Sequence, residues 1–179
     1  MLLLRPMTEE DLPAVVAWLR LPHVARWWTP DTTAEGEIAK YRQRVSAQGR
    51  PATIMLMVTW DGACIGWCQW YRWQDYPAEA AATGAHEGEL GIDYAIGDLA
   101  WVGRGVGTRL IAALVAEARR EHPGAGIVAA AAAANAASRR VLEKNGFELA
   151  AVRPAATEPT SDPMAIYRLP ASPANRYQG

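Results

Sequence analysis

Val102-Gly103-Arg104-Gly105-Val106-Gly107-Thr108 sets three alternating glycines directly before an amphipathic segment that runs from Thr108 to about Glu121. Glycine tolerates the tight turns that bring consecutive backbone N–H groups close to a bulky anion. A helix starting at Thr108 would add the positive end of its dipole at the same point. The occupant that suits this loop is a phosphate-bearing cofactor, with Val102, Gly103, Arg104, Gly105, Val106, Gly107 and Thr108 as its contacts. The alternative is a glycine-rich strand-to-helix turn that holds no ligand. A nucleoside triphosphate loop is excluded, because no Gly-Lys-Ser/Thr ending is present, and the glycine spacing does not fit a dinucleotide loop.

A second segment lies some thirty residues downstream: Asn135-Ala136-Ala137-Ser138-Arg139-Arg140-Val141-Leu142-Glu143-Lys144-Asn145-Gly146-Phe147. Asn135 is a suitable helix cap, Val141 and Leu142 can face a core, and Asn145-Gly146 is a C-terminal stop. A short apolar strand precedes each helix, Leu90–Ile96 before the first and Ile127–Ala132 before the second.

The two segments, in this order and at this spacing, resemble the acetyl-CoA-binding half of the GNAT superfamily of N-acetyltransferases. The resemblance implies that the glycine loop holds the pyrophosphate of acetyl-CoA, while Asn135 and Ser138 line the pantetheine and thiol. Backbone N–H groups around Ala95 and Ile96 would polarise the thioester carbonyl.

Bulk properties are compatible with that. A chain of 179 residues, half of them hydrophobic, can bury a sizeable core as one domain. No apolar run approaches the ~20 residues needed to span a bilayer. Met1-Leu2-Leu3-Leu4-Arg5-Pro6 reads as a first strand rather than a signal segment, so a cytoplasmic protein with no membrane partner is expected. Cys64 and Cys68 lie four apart in a strand-like segment, on one face, and read as two buried free thiols. The three histidines, His23, His86 and His122, are scattered, and no metal site is expected. A net charge of −1 argues against a nucleic-acid partner. Asp75, Glu79, Glu87, Glu89, Asp93 and Asp98 follow one another with no intervening Lys or Arg, either a solvated acidic loop or a rim that attracts a polycation.

Along the chain, Leu2–Arg5 reads as a strand, and Thr8-Glu9-Glu10-Asp11 caps a helix to about Leu19. Asp31-Thr32-Thr33 opens a second helix that stops near Gly49-Arg50-Pro51. Thr53–Thr59 and Ala63–Tyr71 form a hairpin about Asp61-Gly62. Arg72–Glu87 reads as a long Pro/Ala/Gly loop, and the alanine run 129–134 as strand leading into turn. Glu148–Val152 and Met164–Leu169 read as terminal strands. The fold class is α/β, a mixed central sheet with helices on both faces: one acetyltransferase domain over residues 1–170 and a disordered tail over 171–179.

Within the superfamily the chain resembles aminoglycoside 6′-N-acetyltransferases from Arg5 to about Leu169. Leu12 to Trp28, ending His23-Val24-Ala25-Arg26-Trp27-Trp28, looks like that family's N-terminal helix and tandem tryptophans. Ile65-Gly66-Trp67-Cys68-Gln69-Trp70-Tyr71 matches its Ile-Gly-x-x-Gln-x-Tyr strand, and Gly91-Ile92-Asp93 the Gly-Ile-Asp that supplies its catalytic aspartate. Asp162-Pro163 resembles a segment near its C-terminal substrate contacts. The resemblance implies Asp93 as catalytic base, substrate contacts at Trp27, Tyr41, Gln69, Tyr71, Asp75, Glu89 and Asp162, and a monomer or homodimer acting on an aminoglycoside. An aminosugar carries ammonium groups and flat C–H faces, so carboxylates and aromatic rings suit it. Among eight tryptophans against one phenylalanine, Trp18, Trp60 and Trp67 read as core, Trp27 as the ring-stacking candidate and Trp73 as a weaker one. Three departures stand out. Leu142 replaces a tyrosine thought to protonate the leaving thiolate, Val102 replaces a Gln or Arg, and Ala129-Ala130-Ala131 replaces a Thr-Asp-Pro segment. The rival readings are a siderophore-type N-hydroxylysine acyltransferase, whose relatives tend to carry histidine near Asp93, and a catalytically weak CoA-binding protein.

Overall fold

The computed structural model describes residues 1–28, 33–46, 52–154 and 162–171. Seven strands run in the order β1-β2-β3-β4-β5-β7-β6. The chain divides into two compact units, Met1–Tyr71 with Asp93–Leu110, and Arg72–Ile92 with Ile111–Gly179.

In the first unit β1 (Leu2–Pro6), β2 (Thr53–Trp60) and β3 (Ala63–Arg72) form an antiparallel ladder. The β2–β3 turn works because Asp61 (φ 47°) and Gly62 (φ 87°) both adopt left-handed backbone, the requirement of a two-residue hairpin turn. Thr8 and Asp11 form a reciprocal capping box, with the Thr8 N–H donating to Asp11 Oδ2 at 2.8 Å. The helix expected from Thr8 to Leu19 is broken into a single 3₁₀ turn, Glu9–Asp11, and α1 (Leu12–Leu19), with Pro13 at the start of α1. A short α2 (Pro22–Ala25) follows, with proline at its first position. Thr33 caps α3 (Ala34–Val45), accepting from the Gly36 N–H at 3.2 Å. Asp31, Thr32 and the stop at Gly49–Pro51 lie outside the described residues.

Leu12, Val15, Val16 and Leu19 of α1 and Tyr41 of α3 pack with Met55, Met57 and Trp67 in one core. Trp67 has no exposed surface, in agreement with its reading as core. Trp18 and Trp60 are only half-buried, although Trp18 packs against this core. Cys64 and Cys68 are free thiols. The same-face argument for them fails, however, because Val58 pairs with Gly66 while Thr59 pairs with Cys64. Ile65 is therefore an extra residue, and a bulge breaks strict alternation.

β4 (Leu90–Ile96) begins in the second unit and ends in the first, and its second-unit residues pair in parallel with β5 (Ile127–Ala132) at Leu90↔Ile127 and Gly91↔Val128. On its other edge β5 pairs antiparallel with β7 (Met164–Leu169), which in turn pairs with β6 (Glu148–Arg153). The sheet is thus mixed. The alanine run forms strand as far as Ala132 and then turns, as expected. The long loop expected over 72–87 is instead a 3₁₀ turn, Trp73–Asp75, and α4 (Pro77–Thr83). Proline at the first helical position, alanines at 78 and 80–82, and Gly84 at φ 69° as a left-handed stop together make a helix signal. The same turn folds Trp73 inward to 4% exposure, which removes it as a stacking candidate. α5 (Val106–Glu121) starts two residues earlier than expected, and α6 (Ala136–Lys144) follows β5.

Candidate active site

Asp93 stands half-buried on β4, and β3 aims two side chains at it. Residues two apart on a strand share a face, which puts Gln69 and Tyr71 on the same side. Gln69 Nε2–H donates to Asp93 Oδ2 at 2.7 Å, and Tyr71 makes a further side-chain hydrogen bond to the carboxyl. Burial raises the Asp93 pKa above its ordinary 3.8, against the opposing pull of Gln69, the Arg44 charge and Tyr71. A carboxylate held in place yet made more basic suits proton acceptance.

Behind Gln69 stands α3. Arg44 Nη1–H donates to Gln69 Oε1 at 3.3 Å, and its guanidinium lies 5.5 Å from the Tyr41 ring centre. Tyr41 is 1% exposed, and burial, followed by the Glu37 charge, pushes its hydroxyl up to about 12. Tyr41 therefore stays neutral at the core side of this cluster.

The far end of β4 is pinned from three sides. Gly97 and Asp98 N–H groups both donate to the Ile65 carbonyl of the bulge, at 2.9 and 3.1 Å. His23 Nε2 lies 3.2 Å from the Ile96 carbonyl, a bond that requires the proton on Nε2. Gly66 comes so close that a Cβ would sit 2.3 Å from the Ala95 carbonyl oxygen. Ala95 and Ile96, the expected carbonyl-polarising positions, are thus on backbone with little freedom to shift.

The glycine loop follows a 3₁₀ turn over Leu99–Trp101, which Asp98 caps by accepting from the Ala100 N–H at 2.9 Å. Gly103 (φ 78°) and Gly105 (φ 76°) are left-handed, and a Cβ on either would meet nothing within 4 Å. Conformation rather than crowding requires glycine here, and open space lies beside the backbone. The first turn of α5 has N–H groups without intrahelical acceptors, and its ladder opens with Arg109 N–H to the Gly105 carbonyl at 3.5 Å. Val102 and Arg104 are exposed, Gly107 and Thr108 half-buried, and Val106 buried. This arrangement fits a bulky anion such as the pyrophosphate of acetyl-CoA.

In the second unit Asn135 caps α6, its Oδ1 accepting from the Ser138 N–H at 3.1 Å. Leu142 is 1% exposed and presents no ionisable group. Asp75 is held by Arg72 at 2.8 Å. Glu89 pairs with Arg168 and also accepts from the His86 N–H at 2.7 Å. Asp162 is exposed. The run of acidic residues is therefore not a uniform free rim: Asp98 is a cap, and Asp75 and Glu89 have cationic partners.

The tandem tryptophans, both in the first unit, have separate roles. Trp28 packs edge-on against Trp67, with centroids 5.0 Å apart and planes at 86°. Trp27 is half-buried, with the Arg26 guanidinium 4.6 Å from its ring centre. Sequence reasoning thus grouped Asp93, Gln69, Tyr71 and Tyr41 but overlooked Arg44, since a lone arginine late in a helix carries no sequence signal of its own.

An α/β fold with a held carboxylate on one strand and a glycine loop opening the next helix fits a group-transfer enzyme that uses a phosphate-bearing donor. The acetyltransferase (GNAT) domain family matches residues 1–148, and the chain belongs to it: it is an acetyl-CoA-dependent acetyltransferase of the GNAT type. It is 30% identical over 154 residues to an aminoglycoside N(6′)-acetyltransferase type 1 of Klebsiella pneumoniae, covering 81% of this chain and 73% of that protein. It is 29% identical over 121 residues to the lysine N-acyltransferase MbtK of Mycobacterium tuberculosis, covering 67% and 55%. The crystal structure of aminoglycoside acetyltransferase AAC(6′)-Ib with coenzyme A and kanamycin superposes with a TM-score of 0.73 at 26% identity, covering 95% of both chains.

Proposed function

We propose that this protein acetylates a primary amine of an aminoglycoside, the 6′-amino group in the first place, and so confers resistance to the drug. The observation that carries the reading is Asp93, a carboxylate held by Gln69 and Tyr71 and made basic by burial. Similarity to the Klebsiella enzyme, over most of both chains, supports the acceptor class. The reading treats residues 1–170 as one working acetyltransferase domain in the cytoplasm.

Acetyl-CoA supplies the activated acetyl thioester. The chain's own contribution is to orient and to move a proton. Backbone N–H groups of Gly103 to Thr108 would hold the pyrophosphate, and the family resemblance assigns the pantetheine arm to Asn135 and Ser138. The acceptor is mostly ammonium at neutral pH. Asp93 takes one proton from the ammonium, which frees the nitrogen lone pair to bond to the acetyl carbon; as the carbon–sulfur bond breaks, the nitrogen gives up its second proton to solvent. The N–H groups at Ala95 and Ile96 stabilise the carbonyl oxygen. Leu142 has no proton to give, so the thiolate leaves unprotonated or takes its proton from water or from another side chain such as Ser138. Trp27 and Tyr71, both in the first unit, are the proposed acceptor contacts.

Thiol release from acetyl-CoA, measured with kanamycin, an N6-hydroxylysine and a peptide amine, tests this directly. Kanamycin-dependent release with a single added acetyl group on the 6′-amine is expected. Turnover confined to the hydroxylysine would overturn the acceptor assignment in favour of the acyltransferase reading, to which the mycobacterial relative lends some weight. No release with any acceptor, despite CoA binding, would leave a CoA-binding protein.

A further inference from the structure

Gln69 joins two groups of opposite charge. Its Nε2–H donates to Asp93 at 2.7 Å, and its Oε1 accepts from Arg44 at 3.3 Å. A primary amide has nearly the same shape with its two ends exchanged, so sterics alone do not choose between them. Electrostatics does. Exchange would put Oε1 against a carboxylate oxygen and the amide NH₂ against a guanidinium, repulsive at both ends.

We infer that Arg44 is a positioning residue for acetyl transfer, fixing the amide of Gln69 so that its N–H holds Asp93 in place. This inference rests on Asp93 acting as the base. Gln69 is then chiefly part of the base assembly, and its contact with the acceptor is secondary. Gln69 is 5% exposed, which suits a bridging role better than a contact with a bulky sugar. The intervening amide also has a chemical purpose. A direct arginine–aspartate pair would lower the carboxyl by about 1–3 units and make it a poor proton acceptor. Relayed through an amide, arginine transmits orientation and only part of its charge. The net displacement of Asp93 remains upward, with Arg44 among the opposing influences. The groups facing this carboxyl are Gln69 and Tyr71 from β3 and, from α3, Arg44 and the buried Tyr41 with Glu37 behind it.

The test titrates the Asp93 carboxyl by carbon-13 NMR in the free protein and measures kcat/KM against pH with kanamycin and acetyl-CoA. In Arg44→Met the carboxyl titrates at higher pH than in wild type. The acidic limb of kcat/KM moves with it, with a loss of up to about tenfold on that limb that closes at higher pH. The KM for acetyl-CoA stays unchanged, and Arg44→Lys recovers part of the displacement. If Arg44→Met does not fold, Arg44→Gln, which removes the charge and retains a donor, carries the same test. A folded Arg44→Met with the wild-type titration and limb, in an enzyme that Asp93→Asn inactivates, overturns the inference. Full activity in Asp93→Asn instead overturns the base assignment beneath it.

Discussion

Asp93→Asn separates the two demands placed on this carboxyl, to hold its place against Gln69 and to take a proton. Asparagine retains the size of the side chain, and its Oδ1 can accept the Gln69 N–H that now reaches Asp93 at 2.7 Å. The Tyr71 hydroxyl can turn to accept from the new amide. Geometry is therefore retained and the capacity to take a proton is lost. General-base assistance contributes about 10²–10⁴-fold, or about 2.7–5.5 kcal/mol of barrier, so kcat should fall within that range while acetyl-CoA affinity stays near wild type. Raising the pH should recover part of the loss, because solvent then supplies more free amine. Steady-state thiol release across pH with kanamycin checks this. A kcat within threefold of wild type at neutral pH would refute the assignment, the factor being about a quarter of the lower bound on a logarithmic scale.

The same substitution should stabilise the fold. The folded-state pKa of Asp93 is raised above its ordinary value by burial. Between the two values the native state binds more protons than the unfolded chain, and stability falls as pH rises through that window. Above it the charged carboxylate is a standing cost of about 1.4 kcal/mol for each unit of displacement. Asparagine carries no such charge, so Asp93→Asn should melt higher than wild type at neutral pH, and the difference should vanish in acid. Equal melting temperatures at neutral and acidic pH would show that burial does not strain this carboxyl.

Gly66→Ala should lower the melting temperature sharply, because the new Cβ would sit 2.3 Å from the Ala95 carbonyl oxygen and displace the end of β4; a variant as stable as wild type would mean that the strands separate there without penalty. Gly105→Val should lose about 1–3 kcal/mol of stability from its left-handed backbone, and should weaken acetyl-CoA binding well beyond that; calorimetry showing unchanged affinity in the folded variant would remove the phosphate-loop assignment. Trp28→Ala should cost stability through its packing on Trp67, whereas Trp27→Ala should leave stability near wild type and raise the KM for kanamycin by about 0.5–2 kcal/mol in free-energy terms. Thermal melts and initial rates together distinguish the two, and the reverse pattern would exchange their roles.

The elements that could be read from sequence are those whose signals are local. β4, β5 and β7 were bounded by apolar runs between turn residues, and α6 by an asparagine cap and a glycine stop, so they fell where expected. α4 was overlooked because the same alanines and glycine that make a capped helix also suggest a flexible loop, and only the order of Pro77 before Gly84 distinguishes them. Asp93, Gln69 and Tyr71 were visible through the Gly-Ile-Asp and Ile-Gly-x-x-Gln-x-Tyr motifs that match the family, on two different strands. Arg44 was not, since its link to Gln69 spans 25 positions and depends on how α3 packs. The bulge at Ile65 escaped for the same kind of reason: an extra residue shows only in the pairing.

The charge that an acidic run presents does not follow from counting its residues. Six carboxylates without an intervening cation read either as a solvated acidic loop or as a rim for a polycation, yet Asp98 caps a turn, Asp75 is paired with Arg72, and Glu89 with Arg168. Trp27, the ring proposed to meet the sugar, is already faced by Arg26. A cationic acceptor must then either displace Arg26 or approach the other face, and an exchange of one cation for another gains less than occupation of a bare ring. Removing the competitor isolates that term. Arg26→Ala should lower the KM for kanamycin, most clearly at low salt where repulsion is least screened, and should leave the KM for acetyl-CoA unaltered. A rise in the kanamycin KM would mean that Arg26 orders Trp27 for the acceptor instead of competing with it.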